Sequence, residues 1–124
     1  MSRILRKPIY WAGPRKGSRY EFTRTATGDA YVRYLRHGVQ PGERPGKFLI
    51  VATYPLRGAY RHLKEYANGK AVAGPNGSIY FANPDYPTSV YVAFPKLNFE
   101  IEVYDPSPKV ARSVAASGAV RPVR

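Results

Sequence analysis

Apolar and polar positions alternate most regularly toward the C-terminal end of the chain. Val90, Val92 and Phe94 recur with a period of two. Pro95-Lys96-Leu97-Asn98 then turns the chain, and Phe99, Ile101 and Val103 alternate against Glu100 and Glu102. A period of two sends successive side chains to opposite faces of a strand, so this stretch predicts a hairpin with one buried face. Asp105-Pro106 and Ser107-Pro108 follow, two overlapping pairs of an N-cap residue with a proline. Val110, Ala111, Val114 and Ala115 then recur at helical spacing up to Gly118. Residues 88–116 read as a β-β-α unit around which the rest is built.

The upstream pattern extends this unit. Tyr20, Phe22 and Thr23 begin a strand, Ala26-Thr27-Gly28-Asp29 turns it, and Tyr31 to Leu35 returns. His37 to Gly46, rich in proline and glycine, reads as a loop. Phe48-Leu49-Ile50-Val51-Ala52 is a continuous apolar run, expected of a central strand covered on both faces, and Pro55 ends it. Leu56, Ala59, Tyr60, Leu63 and Ala67 recur at helical spacing before the Asn68-Gly69 stop. Gly74-Pro75-Asn76-Gly77 turns into a strand over Ser78 to Ala82, which Asn83-Pro84-Asp85-Tyr86-Pro87 breaks.

The resulting order is β-β-β-α-β-β-β-α. It predicts an α+β domain, a single antiparallel sheet of five to six strands with two short helices packed on one face. Residues 1–19 lack periodicity and hold Pro8, Gly13, Pro14 and Gly17, so they read as a basic extended arm. Residues 20–118 form the domain, and residues 119–124 read as a mobile tail. Ile9-Tyr10-Trp11 is the one apolar point of the arm, able to lie against the sheet as an edge segment. That segment and an open strand edge would also allow self-association into a homo-oligomer.

Four segments carry a resemblance as a set: Pro8-Ile9-Tyr10-Trp11-Ala12-Gly13-Pro14, Tyr31-Val32-Arg33-Tyr34-Leu35, Val51-Ala52-Thr53-Tyr54-Pro55, and Glu100-Ile101-Glu102-Val103-Tyr104-Asp105-Pro106-Ser107-Pro108. The chain resembles small bacterial envelope domains, lipoprotein-like or anchored, that have no assigned activity. The resemblance implies an α+β fold and a non-enzymatic role outside the membrane. The chain departs from that setting in showing neither export signal nor anchor. An extracytoplasmic location would follow if a leader had been removed, and a cytoplasmic one otherwise.

Charge changes the picture more than composition does. The 124 residues carry 20 Lys and Arg against 8 Asp and Glu, a net charge of +12. Half of that charge lies in the arm, as Arg3, Arg6, Lys7, Arg15, Lys16 and Arg19 with no acid. Such a field attracts nucleic acid, anionic lipid or acidic polymers. Arg24, Arg33 and Arg36, interleaved with some of the 11 tyrosines, extend it along the first hairpin. Together with Tyr10, Trp11 and Tyr34 they are the candidate partner-binding residues. No cysteine is present, which excludes disulfides, thiolate metal sites and a Cys nucleophile. No apolar run reaches the roughly 18 residues of a membrane helix.

Candidate catalytic chemistry is sparse, and the expectation is no catalytic residue, no metal and no cofactor. His37 and His62 lack the spacing of a metal site. No nucleophile-elbow serine and no phosphate-binding glycine loop occurs. Gly13-Pro14-Arg15-Lys16-Gly17-Ser18-Arg19 has the character of a basic turn whose amides could hold an anion, with a flexible basic linker as the simpler reading. Glu100 and Glu102 project from one strand face and could split their pKa values as an acid–base pair. Their apolar neighbours Phe99, Ile101 and Val103 make them more simply the solvent side of an amphipathic strand, paired with basic groups on neighbouring strands. The functional expectation is a non-catalytic interaction domain that binds a protein or acidic partner through a basic aromatic surface. A nucleic-acid-binding module using the arm, the sheet arginines and the tyrosines is the second reading.

Overall fold

The regular alternation near the C-terminus is realised as two strands of one large antiparallel sheet. The structure, a computed structural model, describes residues 8–36 and 48–123. In chain order they form β1 (Tyr10–Trp11), β2 (Ser18–Arg24), β3 (Ala30–Arg36), β4 (Ile50–Pro55) and α1 (Ala59–Ala67). Then come β5 (Val72–Ala73), a short 3₁₀ turn (Pro75–Gly77), β6 (Ile79–Ala82), β7 (Ser89–Ala93), β8 (Phe99–Tyr104), α2 (Pro108–Ala116) and β9 (Arg121–Pro122). Seven strands pair in the order β2-β3-β4-β8-β7-β6-β5, while β1 and β9 make a separate two-stranded ladder. The loop expected over His37 to Gly46 lies outside the described residues, as do Arg3, Arg6 and Lys7.

The α+β class and the single large antiparallel sheet agree with the sequence. The sheet has seven strands because a two-residue strand, β5, adds to its edge and is too short to show any alternation. The expectation that both helices share one face is corrected. Ala111, Val114 and Ala115 of α2 pack with Val90, Val92, Ile101 and Val103. Ala59 and Leu63 of α1 pack with Ile79 and Ala93. Since 90 and 92 point opposite to 91 and 93 on one strand, the helices lie on opposite faces. An apolar helical stripe says that a face is buried. It does not say which side of the sheet buries it, and β7 is apolar on both.

Cross-strand register turns this alternation into rows of side chains. Phe22, Val32, Val51, Val103, Val90 and Ala82 line up on the α2 face, one per strand from β2 to β6. Val32, Val51, Val90 and Val103 in this row are fully buried, each contributing about 1.5–3 kcal/mol of transfer free energy. The row on the other face reads Thr23, Tyr31, Ala52, Glu102, Tyr91 and Phe81. Helix α1 covers only its β6–β7 end.

Local signals place the helices. Of the two overlapping capping pairs the structure uses Ser107-Pro108: Ser107 Oγ accepts from the Val110 amide at 3.3 Å, with Pro108 in the first turn. Asp105 supports this start, its Oδ2 accepting from the Ser107 amide at 2.9 Å. Helix α1 ends at Asn68 in the left-handed conformation, the stop that the Asn-Gly pair predicts.

The arm and the tail are parts of this packing. The Ile9-Tyr10-Trp11 segment of the extended arm pairs with the segment read as a mobile tail, Tyr10 opposite Pro122 and Trp11 opposite Arg121. Tyr10, Ala12 and Val120 are buried in the α2-face core. Sheet side chains hold the arm backbone: the Tyr10 amide donates to Thr53 Oγ1 at 3.0 Å, and the Ala12 amide donates to the Tyr34 hydroxyl at 2.7 Å. That hydroxyl donates in turn to the Gly13 carbonyl at 2.9 Å. Gly13 has φ +75°, a left-handed conformation that favours glycine, and the Arg121 guanidinium lies against it. The arm lacks periodicity because its partners are tyrosine hydroxyls, which no spacing of apolar residues encodes.

The Tyr34 hydroxyl is buried and serves two backbone groups, whereas Tyr20 bonds the Arg15 amide at an exposed site. Tyr34→Phe should therefore cost about 1–3 kcal/mol, because the Ala12 amide is left without a partner. Tyr20→Phe should cost within about 0.5 kcal/mol, since water reaches the same groups. Urea unfolding of both variants checks this, and equal losses would rule out Tyr34 as the anchor of the arm.

Candidate functional site

The tyrosine anchors bring three basic side chains from separate stretches of chain to one concavity. Holding residues 12–15 against β3 leaves Arg15, Lys16 and Gly17 opposite Arg36, at the end of β3. The first turn of α2 closes the far side with Val110, and among the described residues Asp105 is the one acid in the lining. The cavity has a volume of about 550 Å³. Arg121 stands beside it, packed on Gly13, and with Arg15 it favours the phenolate of Tyr34. Burial outweighs both and holds the Tyr34 hydroxyl up at about 12, so it remains a donor at any physiological pH. Three cations against one carboxylate suit the arrangement to an anionic group.

The sequence-derived site residues divide between surfaces instead of converging on one. Arg15, Lys16 and Arg36 meet in the concavity. Arg19 and Arg33 project from the opposite face of the sheet, by register with Leu35 and Glu21. Arg33 is engaged there, with Nη1 3.8 Å from Glu21 and 3.1 Å from Thr23 Oγ1. Arg24 reaches back to the Gly28 carbonyl of its own hairpin at 3.4 Å. The aromatics turn inward: Tyr10 stacks on Phe94 at 5.8 Å, Trp11 meets Tyr20 edge-on, and Tyr20 meets Tyr34 in the same way. Arg3, Arg6 and Lys7 lie outside the described residues. Arg121, placed in the tail by sequence, is the basic residue that reasoning missed, and only its ladder with β1 reveals it.

A second depression, of about 510 Å³, lies on the other face where α1 leaves the sheet uncovered. Tyr31, Tyr54 and Tyr104, from the adjacent strands β3, β4 and β8, wall it. Ala52 lies between them, its methyl group too small to fill the space. Glu102 completes the lining. Its Oε1 accepts from the Tyr54 hydroxyl and its Oε2 from the Ser89 hydroxyl, each at 2.6 Å. Burial, then the Glu102 bond and charge, push the Tyr54 phenol well above its ordinary value of 10. The expected pairing of Glu100 and Glu102 with basic cross-strand groups is corrected. Their register partners are Tyr54 and Ala93, and Ala52 and Tyr91.

Glu100 faces a smaller hollow of about 380 Å³ with His62, Tyr66 and Tyr91. Burial raises its carboxyl above the ordinary 4.5, and the Glu102 charge adds to this against an opposing pull from His62. Burial and the same two carboxylates hold Tyr91 up at about 12. Among the described residues no three His, Asp or Glu side chains come together as a metal site. Comparison with protein-family models, with curated proteins and with solved structures finds no match for this chain.

A carboxyl raised by folding contributes stability that is complete below its unfolded pKa and is lost as pH rises through its folded value. Glu100→Gln, neutral throughout, should escape that loss. Relative to the parent, the variant should gain stability between about pH 4 and pH 7, read from urea midpoints at both. A parent that keeps its full relative stability at neutral pH would show that the Glu100 site does not disfavour charge.

Proposed function

We propose that this chain is a non-catalytic interaction domain that docks an acidic group of a partner in the concavity of Arg15, Lys16 and Arg36. The observation that carries the reading is the convergence itself: two arm residues and a strand-end residue share one cavity, on a backbone that buried hydrogen bonds at Ala12 and Gly13 and an exposed one at Arg15 hold in place. Preorganisation matters energetically. An exposed, floppy ion pair is worth about 0–1 kcal/mol, whereas hydrogen bonds to a charged group in a shaped site reach about 1.5–3 kcal/mol.

The inward-turned aromatics weigh against base recognition. Tyr10 and Tyr34 are buried, and stacking on single-stranded nucleic acid needs free ring faces. Arg33 is spent on Glu21 on the far side of the sheet. Nucleic acid reaching the concavity would be held by phosphate alone, without preference for base or strandedness.

Fluorescence anisotropy with a labelled polyglutamate peptide tests the proposal. At about 100 mM salt the parent chain should bind and weaken as salt rises. A double Arg15→Glu, Arg36→Glu variant should bind at least about tenfold more weakly, while the charge-matched double Arg61→Glu, Lys64→Glu variant on α1 should lose much less. Equal losses in the two variants would mean that net charge, not this cavity, drives binding. Labelled single-stranded and duplex DNA run in parallel; tighter binding of one base composition over another would favour the nucleic-acid reading instead.

A further inference from the structure

The groove on the opposite face carries a different chemistry, independent of the basic concavity. We propose that the depression between Tyr31, Tyr54, Tyr104 and Glu102 is a recognition site for an organic ammonium group, of which a quaternary trimethylammonium head is the best fit.

Charge is the first argument. Glu102 lines the groove as a half-buried carboxylate and makes no ion pair among the described residues. Both of its oxygens are satisfied by neutral hydroxyl donors, Tyr54 and Ser89. These bonds orient the carboxylate and lower the cost of its burial, but they leave its formal charge uncancelled. Glu100, two residues along the same strand face, lines the neighbouring hollow, where burial disfavours its charged form. Arg33, the cation in the lining among the described residues, bonds Glu21 and Thr23 and holds its guanidinium over the Tyr31 ring at the rim of the groove.

Ring chemistry is the second. Three tyrosines from three adjacent strands surround a floor of Ala52. Aromatic rings attract cations through their quadrupoles, most strongly where water is excluded. The groove already uses this interaction at its rim, where the Arg33 guanidinium lies 5.2 Å from the Tyr31 ring centroid. Tyr31 and Tyr54 meet edge to face at 6.1 Å, which holds the wall in shape.

The occupant follows from what each candidate would cost. An anion would face Glu102 directly. A hydrated metal ion would need several oxygen ligands, and among the described residues Glu102 is the one carboxylate in the lining. A weakly hydrated organic cation needs charge and ring faces more than further directional bonds, and the groove offers those two. Its 510 Å³ also lies within the roughly 300–1,000 Å³ of small-ligand sites.

The test is a titration of the full chain with choline chloride at fixed ionic strength, followed by amide chemical shifts. The comparison ligand is 3,3-dimethyl-1-butanol, the neutral isostere. Choline should saturate with a dissociation constant on the order of 1 mM and perturb Tyr31, Ala52, Tyr54 and Glu102. The neutral isostere should bind at least about tenfold more weakly. Glu102→Gln should lower choline affinity by about tenfold or more. Tyr104→Leu, which keeps the bulk and removes the ring, should lower it several-fold with Glu102 intact and so separates ring loss from any loosening of the carboxylate. Isostere binding equal to choline, shifts confined to the His62–Glu100 hollow, or tighter binding of glucose would each overturn the proposal. So would an absence of saturation by about 20 mM.

Discussion

The pairing of β4 with β8 is the constraint on which the rest of this structure depends. Six register pairs, from Ile50 with Tyr104 to Pro55 with Phe99, join a three-strand run and a four-strand run of the chain into one sheet. A slip of one residue would exchange the faces of an entire strand. If β8 slipped, Val103 would turn toward the groove and Glu102 would enter the core under α2. The cost of burying that carboxylate against Ala111 and Val114 makes such a slip prohibitive. The row Tyr31, Ala52, Glu102, Tyr91 is thus the complement of a packed core, and a polar groove comes with an apolar face wherever the register is held.

The two concavities show why net charge is a poor guide to local chemistry. A charge of +12 describes the field felt far from the surface, and within a Debye length of about 8–10 Å the nearest groups decide. On the α2 side the nearest groups are Arg15, Lys16 and Arg36. On the α1 side they include the carboxyl groups of Glu100 and Glu102, with Arg33 at the rim bonded to Glu21. The sheet separates these fields because cross-strand rows keep each side chain on its own face.

Much of this was legible in the sequence, and the limits have physical causes. The β-β-β-α-β-β-β-α order, the Phe48–Ala52 core strand, the Asn68-Gly69 stop and the hairpin about Pro95-Lys96-Leu97-Asn98 all follow from local pattern. Which face each helix covers did not, since β7 offers Val90 and Val92 on one side and Tyr91 and Ala93 on the other. The ladder of β1 with β9 joins the two most distant described segments of the chain and rests on Tyr34 and Thr53 hydroxyls, so no local window contains it. Of the candidate site, Arg15, Lys16 and Arg36 could be named from charge. The groove could not: an alternating strand explains Glu102 as surface until Ala52 and three tyrosines from separate strands are found beside it.

The β1–β9 ladder has a mechanical consequence. Tyr10 pairs with Pro122, and the Val123 amide donates to the Ile9 carbonyl at 2.7 Å, so chain entering before Ile9 and chain leaving after Val123 emerge side by side. A pull applied through those two points loads the ladder one hydrogen bond at a time, as a zipper, and not in shear. The ladder would open first, and the load would then pass to the Thr53 and Tyr34 bonds that hold the arm. Because the arm positions Arg15 and Lys16 against Arg36, tension that broke those bonds as well would disperse the cation cluster while leaving the Tyr31–Glu102 groove assembled.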